Sequence, residues 1–237
     1  MNSYQNRDDK QLINIIDVNK SFDNSHILKD ISMNVNRGEF VSIVGSSGCG
    51  KSTLFNIISG LISQDSGSVH VLGDIGYMQQ KDLLLPWKNV IDNVVLPLNI
   101  RVFDKRESKE KAKEYIKVIG LEGYEEKYPY QLSGGMKQRV SFLRTFLCSE
   151  EIMLLDEPFG ALDAITKGKM QRWLLEMKSI LNRTILFITH DIEEAIFLSD
   201  RMYIMSARPG TIKDEISLQG LSSQDLAELK DHIIKIL

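Results

Sequence analysis

Three short runs of this chain are apolar at nearly every position: "FVSIVG" from Phe40, "IMLLD" from Ile152 and "TILFIT" from Thr184. Runs this short and this continuous fit strands buried on both faces. A helical pattern over Thr166–Leu181 separates the last two, and strand, helix, strand predicts a parallel sheet with both faces covered. "ISMNV", from Ile31 to Val35, alternates apolar and polar as a half-buried strand should, and "NRG" turns the chain into the first apolar run. "TLFNIISGL" then reads as a helix. Near the end, "MYIMSARPGTIKDEISL" reads as two strands around a Pro209-Gly210 turn.

From about Lys81 to Ser149 strand signals vanish. "NVIDNVVLPL" places Val90, Ile91, Val94, Val95 and Leu98 at helical spacing. "KRESKEKAKEYIKVIGL" carries an apolar stripe at Ala112, Tyr115, Ile116 and Ile119 on a charged helix. Its charges are of mixed sign, which fits a solvated helix face. The pattern predicts an all-helical subdomain over 81–149, inserted into an α/β core formed by 1–80 and 150–237. "SSQDLAELKDHIIKIL" has a cap-like start and predicts a closing helix.

The chain has 237 residues and a net charge of -3. The length suits one large domain, or a core with a subdomain, and can bury a sizeable core, and the charge argues against nucleic acid as a partner. No apolar run approaches the roughly 20 residues that span a bilayer. The polar start "MNSYQNRDDK" is unlike a signal or transit peptide. These features predict a cytoplasmic protein, attached to a membrane only through a partner. Cys49 and Cys148 fit a reducing compartment and make neither a disulfide framework nor a zinc site. Cys148 reads as a buried, inert thiol on a helix. Cys49 lies in a glycine-rich loop and is a candidate reactive thiol that phosphate binding does not require.

That loop, "GSSGCGKS", runs from Gly45 through Ser46, Ser47, Gly48, Cys49, Gly50 and Lys51 to Ser52, with Thr53 following. It matches G-x-x-x-x-G-K-[ST] between a strand and a helix, the context this phosphate loop requires. Backbone N–H groups and the helix N-terminus cradle phosphate oxygens. Lys51 reaches the β- and γ-phosphates, and the Ser52 hydroxyl ligates Mg²⁺. Asp156 and Glu157 end one parallel strand and His190 ends another, so all three collect at the carboxyl edge with the loop. Asp156 is then a candidate Mg²⁺ ligand. Glu157 is the candidate general base for water, and His190 is placed to sense the γ-phosphate.

Taken together these elements resemble the ATP-binding subunits of ABC transporters. "GSSGCGKS" is similar to their Walker A loop, "IMLLDEP" to Walker B, "LSGG" (Leu132–Gly135) to the signature loop, and "ALD" (Ala161–Asp163) to the D-loop. His190 matches the switch histidine, and Gln79 in "GYMQQ" matches the Q-loop glutamine, which touches Mg²⁺ or the attacking water. Phe22 falls where the family stacks an aromatic ring on adenine. The resemblance covers essentially the whole chain. It implies a P-loop NTPase core of RecA-like type with a parallel sheet, an N-terminal antiparallel β subdomain and an inserted α-helical subdomain. It also implies ATP and Mg²⁺ as ligands, and a second copy of the chain as partner. In that arrangement Ser133, Gly134 and Gly135 reach the γ-phosphate held by the other copy, and Asp163 contacts across the same interface.

"LLLPWKNVIDNV", "YPYQLSGGMKQR", "EPFGALDA" and "MSARPG" are similar to importers of the nitrate, sulfonate and taurine group, which includes carriers of pyrimidine precursors of thiamine. That resemblance implies a transmembrane permease, an extracytoplasmic solute-binding protein and a location on the inner face of the membrane. It does not select a solute. The alternative is a soluble ABC-type ATPase acting on ribosomes or DNA; a small-molecule kinase would leave "LSGG", "ALD" and His190 without a purpose. Met136 stands where glutamine is common in the family. The segment "SGSVHVLGDIGYMQQ" is shorter than usual, which leaves the edge-strand layout open. Leu83–Leu85 read equally as core packing or partner contact, and Trp87 is the better candidate for touching the permease.

Overall fold

The computed structural model describes residues 11–101, 104–148, 151–181, 183–221 and 223–236. The N-terminal decapeptide, Ser149 and the cap-like Ser222 lie outside the described residues. The chain opens with two long strands, β1 (Gln11–Phe22) and β2 (Ser25–Asn36), then β3 (Phe40–Gly45) and helix α1 (Lys51–Ile58). Strands β4 (Ser66–Val71) and β5 (Ile75–Met78) follow. Helices α2 (Val90–Val94), α3 (Leu96–Ile100), α4 (Lys105–Val118) and α5 (Gly134–Cys148) come next. The remainder is β6 (Ile152–Asp156), α6 (Ala164–Leu181), β7 (Thr184–Thr189), α7 (Ile192–Leu198), β8 (Arg201–Met205), β9 (Ile212–Ser217) and α8 (Ser223–Ile236).

The main sheet has the order β5-β6-β7-β3-β8-β9. Its neighbours run parallel from β5 to β8, and β9 closes it antiparallel around the Pro209-Gly210 turn. A second, antiparallel sheet has the order β2-β1-β4. The edge layout left open by sequence is therefore resolved: β4 joins the antiparallel sheet, and β5 edges the parallel one.

The three apolar runs are the central strands, and their period of two divides each between two cores. Phe40 and Val44 of β3 pack with Ile185 and Phe187 of β7 toward the helices. Val41 and Ile43 pack with Leu186 and Ile188 toward α1 and the antiparallel sheet. Each such side chain contributes about 1.5–3 kcal/mol by leaving water, which is why no polar alternation survives in these strands. The helical stripes join the first core, with Val90, Ile91 and Val94 from α2 and Ala112 and Ile116 from α4. The Phe146 ring of α5 lies 5.4 Å from Tyr115 and 4.9 Å from Trp173, tying α5 to α4 and α6.

Two sequence readings change. The Val90–Leu98 stripe is shared by two short helices, because Pro97 has no N–H to extend α2 and its ring would meet the carbonyl of Asn93. Cys148 is half-buried and lines a surface groove, since it ends α5 rather than facing the core, whereas Cys49 is enclosed. The linker after β5 is held to the helices by polar contacts. Arg144 donates to the carbonyls of Asp82 and Leu83, at 2.9 and 3.0 Å. Buried Asn93 accepts from Leu85 N at 2.9 Å and donates to Lys88 O at 2.9 Å. Among the described residues no helix is long and apolar enough to cross a membrane.

Candidate nucleotide site

Because β3, β7 and β6 are adjacent, their carboxyl ends deliver three loops to one edge. Val44 sits opposite Thr189, and Ile188 opposite Asp156. The loops enclose a pocket of about 370 Å³ lined by Ser47, Gly48, Gly50, Lys51, Ser52, Thr53, Asp156, Glu157 and Gln80, with Ile27 and Ile188 at its apolar wall. Gly45, Ser46 and Cys49 form the back of the loop: the Lys51 ammonium donates to the Gly45 and Ser46 carbonyls at 2.7 and 2.9 Å. The Cys49 thiol is 1 % exposed, so the reactive role considered for it is withdrawn. The loop keeps its shape through Gly50, at φ 110°, where a Cβ would come within 2.7 Å of Leu28 Cδ2. No side chain caps the N-terminus of α1, so its first N–H groups remain free for an anion.

Asp156 lies at the pocket floor, 2 % exposed. Burial pushes its carboxyl above the usual range and the Glu157 charge adds to this, while a hydrogen bond from Ser52 and the Lys51 charge oppose it. Glu157 follows in a left-handed conformation, φ 49°, a strain of roughly 1–2 kcal/mol. It persists because both backbone groups are pinned. Its N–H donates to Ile188 O at 3.0 Å, and its carbonyl accepts from Gln138 Nε2 at 2.9 Å. The Glu157 carboxylate is held between Gln80 Nε2, at 3.2 Å, and His190 Nδ1, at 3.3 Å.

The structure thus brings Gln80 to the site and leaves Gln79, the residue the sequence reading chose, outside the pocket lining. β5 ends at Met78, so its period-two alternation does not reach the two glutamines and no sequence pattern separates them. Gln138 was also missed, although it lies inside "GGMKQR". Its Oε1 accepts from Ala161 N at 2.9 Å, so one side chain joins α5, Glu157 and the loop before Asp163. Met136 packs partly buried against the helical core. Phe22 ends β1 with 45 % of its surface exposed and lies outside the pocket, with the Lys20 ammonium 5.2 Å from its ring centre.

The sequence profile of the ABC transporter family matches residues 28–160. The chain belongs to the ABC transporter family. It is 47 % identical over 203 residues to the formylaminopyrimidine import ATP-binding protein ThiZ of Halalkalibacterium halodurans, covering 84 % of this chain and 82 % of that one. It is 42 % identical over 216 residues to the nitrate import ATP-binding protein NrtD of Synechocystis, covering 88 % and 81 %. It is 40 % identical over 199 residues to the taurine import ATP-binding protein TauB of Escherichia coli, covering 81 % and 78 %. A solved dimeric bacterial ABC transporter cassette, MJ0796, superposes with a TM-score of 0.80 at 32 % identity, covering 88 % of this chain and all of that one. The same cassette bound to ADP and phosphate superposes with a TM-score of 0.79. The fold is that of a P-loop ATPase cassette, and this ABC protein is an ATP-binding, ATP-hydrolysing protein.

The signature residues of this ABC protein do not line the Lys51 pocket. The Ser133 hydroxyl accepts from Met136 N at 3.3 Å, and α5 begins with Gly134. Gly134 lines a separate cavity of about 420 Å³ with Gln80, Asp82, Leu83, Gln138 and Ala161. Asp163 accepts from the N–H groups of Ile165 and Thr166, at 3.1 and 3.0 Å, starting α6. These backbone bonds from the first turn hold its carboxyl below the usual range.

Proposed function

We propose that the protein is the ATPase of an importer for a small solute and that it works as a pair of chains. The observation that carries this reading is the separation of the two glycine loops. Lys51, Ser52, Asp156 and Glu157 share one pocket, whereas Gly134 faces another. A second copy would bring its Ser133, Gly134 and Gly135 to the γ-phosphate held here, and Asp163 would meet that copy across the interface. The dimeric cassettes that resemble this chain support the arrangement. Closure with ATP and reopening after hydrolysis is then a ligand-biased two-state change.

The donor set fits Mg²⁺. Among the described residues no cluster of three His, Cys, Asp or Glu side chains could hold a metal. The hydroxyl of Ser52 and carboxylate of Asp156, joined by Gln80, suit a cation that keeps waters and phosphate oxygens as its other ligands. Bound there with ATP, the cation would draw charge from the β- and γ-phosphates. Phe22 would offer its exposed ring to adenine. Glu157 accepts a proton from water as the water oxygen bonds to the γ-phosphorus. The bond from that phosphorus to the bridging oxygen breaks, giving ADP and phosphate, and the proton then passes to solvent. His190 and Gln80 hold the Glu157 carboxylate on either side during this step.

The solute would belong to the nitrate, sulfonate, taurine or formylaminopyrimidine class carried by the relatives' systems. The chain would lie on the inner face of the membrane through a permease, with an extracytoplasmic binding protein selecting the solute. An apolar groove of about 280 Å³ between β5 and the helices, lined by Tyr77, Leu96, Pro97, Ile100 and Cys148, suits a short helix of that permease. Trp87, 70 % exposed on the linker, is a second candidate contact for the permease.

The testing experiment is Glu157→Gln. Turnover should fall about 100-fold or more, and ATP should hold two chains together on gel filtration. Hydrolysis near the parent rate would overturn the assignment of Glu157.

A further inference from the structure

The loop that carries His190 borders a small cavity. Behind Glu157 and His190 lies a cavity of about 150 Å³, whose far wall is formed by Lys167, Thr189, Asp191 and Glu194. Polar contacts hold the loop there: Asp191 Oδ1 caps α7, accepting from the N–H groups of Glu193 and Glu194 at 2.9 and 3.3 Å, and the remaining side-chain contacts meet one cation. Lys167 Nζ lies 2.7 Å from Asp191 Oδ2 and 2.6 Å from Glu194 Oε1. Glu194 is only 6 % exposed, and its other oxygen accepts from Thr189 Oγ1 at 2.5 Å. The Asp191 N–H donates to the same Thr189 Oγ1 at 3.0 Å. Both neighbours of His190 in sequence, Thr189 and Asp191, are therefore tied into a cluster whose centre is Lys167.

Lys167 also belongs to the first turn of α6. Its N–H donates to the Asp163 carbonyl at 2.8 Å, and the Asp163 side chain caps that helix. Burial opposes the Lys167 charge, yet its bonds to Asp191 and Glu194 hold the ammonium above the usual lysine range. The Lys167 ammonium thus stays charged in the folded chain.

We infer that Lys167 is a positioning residue: through Asp191 and Glu194 it fixes the His190 loop against Glu157 and makes that placement follow the helix begun by Asp163. The inference rests on the reading of Glu157 and His190 as the hydrolytic pair. It adds a route inside one chain by which a displacement of Asp163 reaches His190. Two charged contacts on one ammonium make the link stiff, and no other described cation touches Glu194.

The test uses the full chain with ¹⁵N-labelled histidine, the His190 signal being identified by its loss in His190→Gln. Lys167→Met should shift the His190 ring resonances. It should lower kcat about 10- to 100-fold, the cost of a small misplacement at a reacting centre, while the Kd for ATP changes less than about twofold, as expected when only transition-state interactions are lost. Lys167→Arg, which keeps the charge, should retain most of the turnover. The double variant Lys167→Met, Glu194→Gln removes the buried carboxylate left without its partner and should regain stability but not kcat. Unmoved His190 resonances, or a kcat restored in the double variant, would overturn the inference. Moved resonances with unchanged kcat would support the placement and count against the catalytic reading of His190. Glu157→Gln, measured in parallel, tests that reading by itself.

Discussion

Two loops of this molecule look alike in sequence and differ in what the chain asks of them. Both are small-residue loops that open a helix. In the phosphate loop, Gly50 is demanded by the chain itself: its backbone is left-handed, and a Cβ would strike Leu28. In the signature loop, Gly134 has nothing within 4 Å of where its Cβ would stand. A glycine at a helix start costs roughly 0.5–1 kcal/mol relative to alanine, and no intrachain contact repays that cost at Gly134. The first loop is complete within one chain. The second leaves open space at Gly134 that nothing in its own chain fills.

The largest effect that could break this comparison is Ser133→Arg. A long cation at the signature loop should abolish hydrolysis, by about 100-fold or more, because it would crowd the proposed trans phosphate site. Because the Lys51 pocket does not include Ser133, ATP binding, read by fluorescence titration, should be preserved. Loss of ATP binding in this variant would mean that the two loops share one site. Gly50→Ala should do the reverse. It should destabilise the chain by about 3 kcal/mol, through left-handed strain and overpacking, a fall in Tm of roughly 6–12 °C. ATP binding should fall with it. A stable, ATP-binding Gly50→Ala chain would remove the distinction between the loops.

A subtler contrast lies between neighbours. Gln80→Ala removes one of the two side chains that hold the Glu157 carboxylate, and should lower turnover about 10- to 100-fold. Gln79→Ala should stay within about twofold of the parent. Steady-state ATPase assays on both variants decide the matter, and equal effects would return Gln79 to the site.

The strands and the phosphate loop were legible because each is dictated locally. Short continuous apolar runs bounded by turns fit buried strands, and Gly45 through Ser52 carry glycines at the set positions of a phosphate loop. The Asp156–Glu157 pair was legible for a related reason: parallel strands gather their carboxyl ends. What sequence did not disclose depends on a turn of one residue or on contacts far apart in the chain. Gln80 supplants Gln79 because the chain has left β5 and no pattern marks where it turns. Gln138 joins Glu157 to Ala161 across 19 and 23 residues respectively. Lys167 reads as one more charge on an amphipathic helix until the fold places it beside Asp191 and Glu194. Pro97 did announce a break, but the apolar stripe ran through it, since both short helices face the same core.

The smallest effect is the sharpest test of the comparison. Gly134→Ala adds one methyl group at the first position of α5, into open space in the single chain. For the chain alone the change is neutral or favourable: helix propensity rises by up to about 1 kcal/mol, and Tm should hold or climb by roughly 2–4 °C. In the pair the same methyl stands where a partner's phosphate would approach the N–H groups of the loop. Turnover should therefore fall about three- to tenfold, with ATP affinity of the separate chain unchanged. Gly135→Ala is the control, because its Cβ would meet the Ala161 carbonyl at 3.0 Å within the chain. It should lose stability and turnover together. A more stable chain that hydrolyses more slowly is the signature of a residue kept for the second copy. If Gly134→Ala matched the parent in turnover, the signature loop would have to be read as ordinary helix capping.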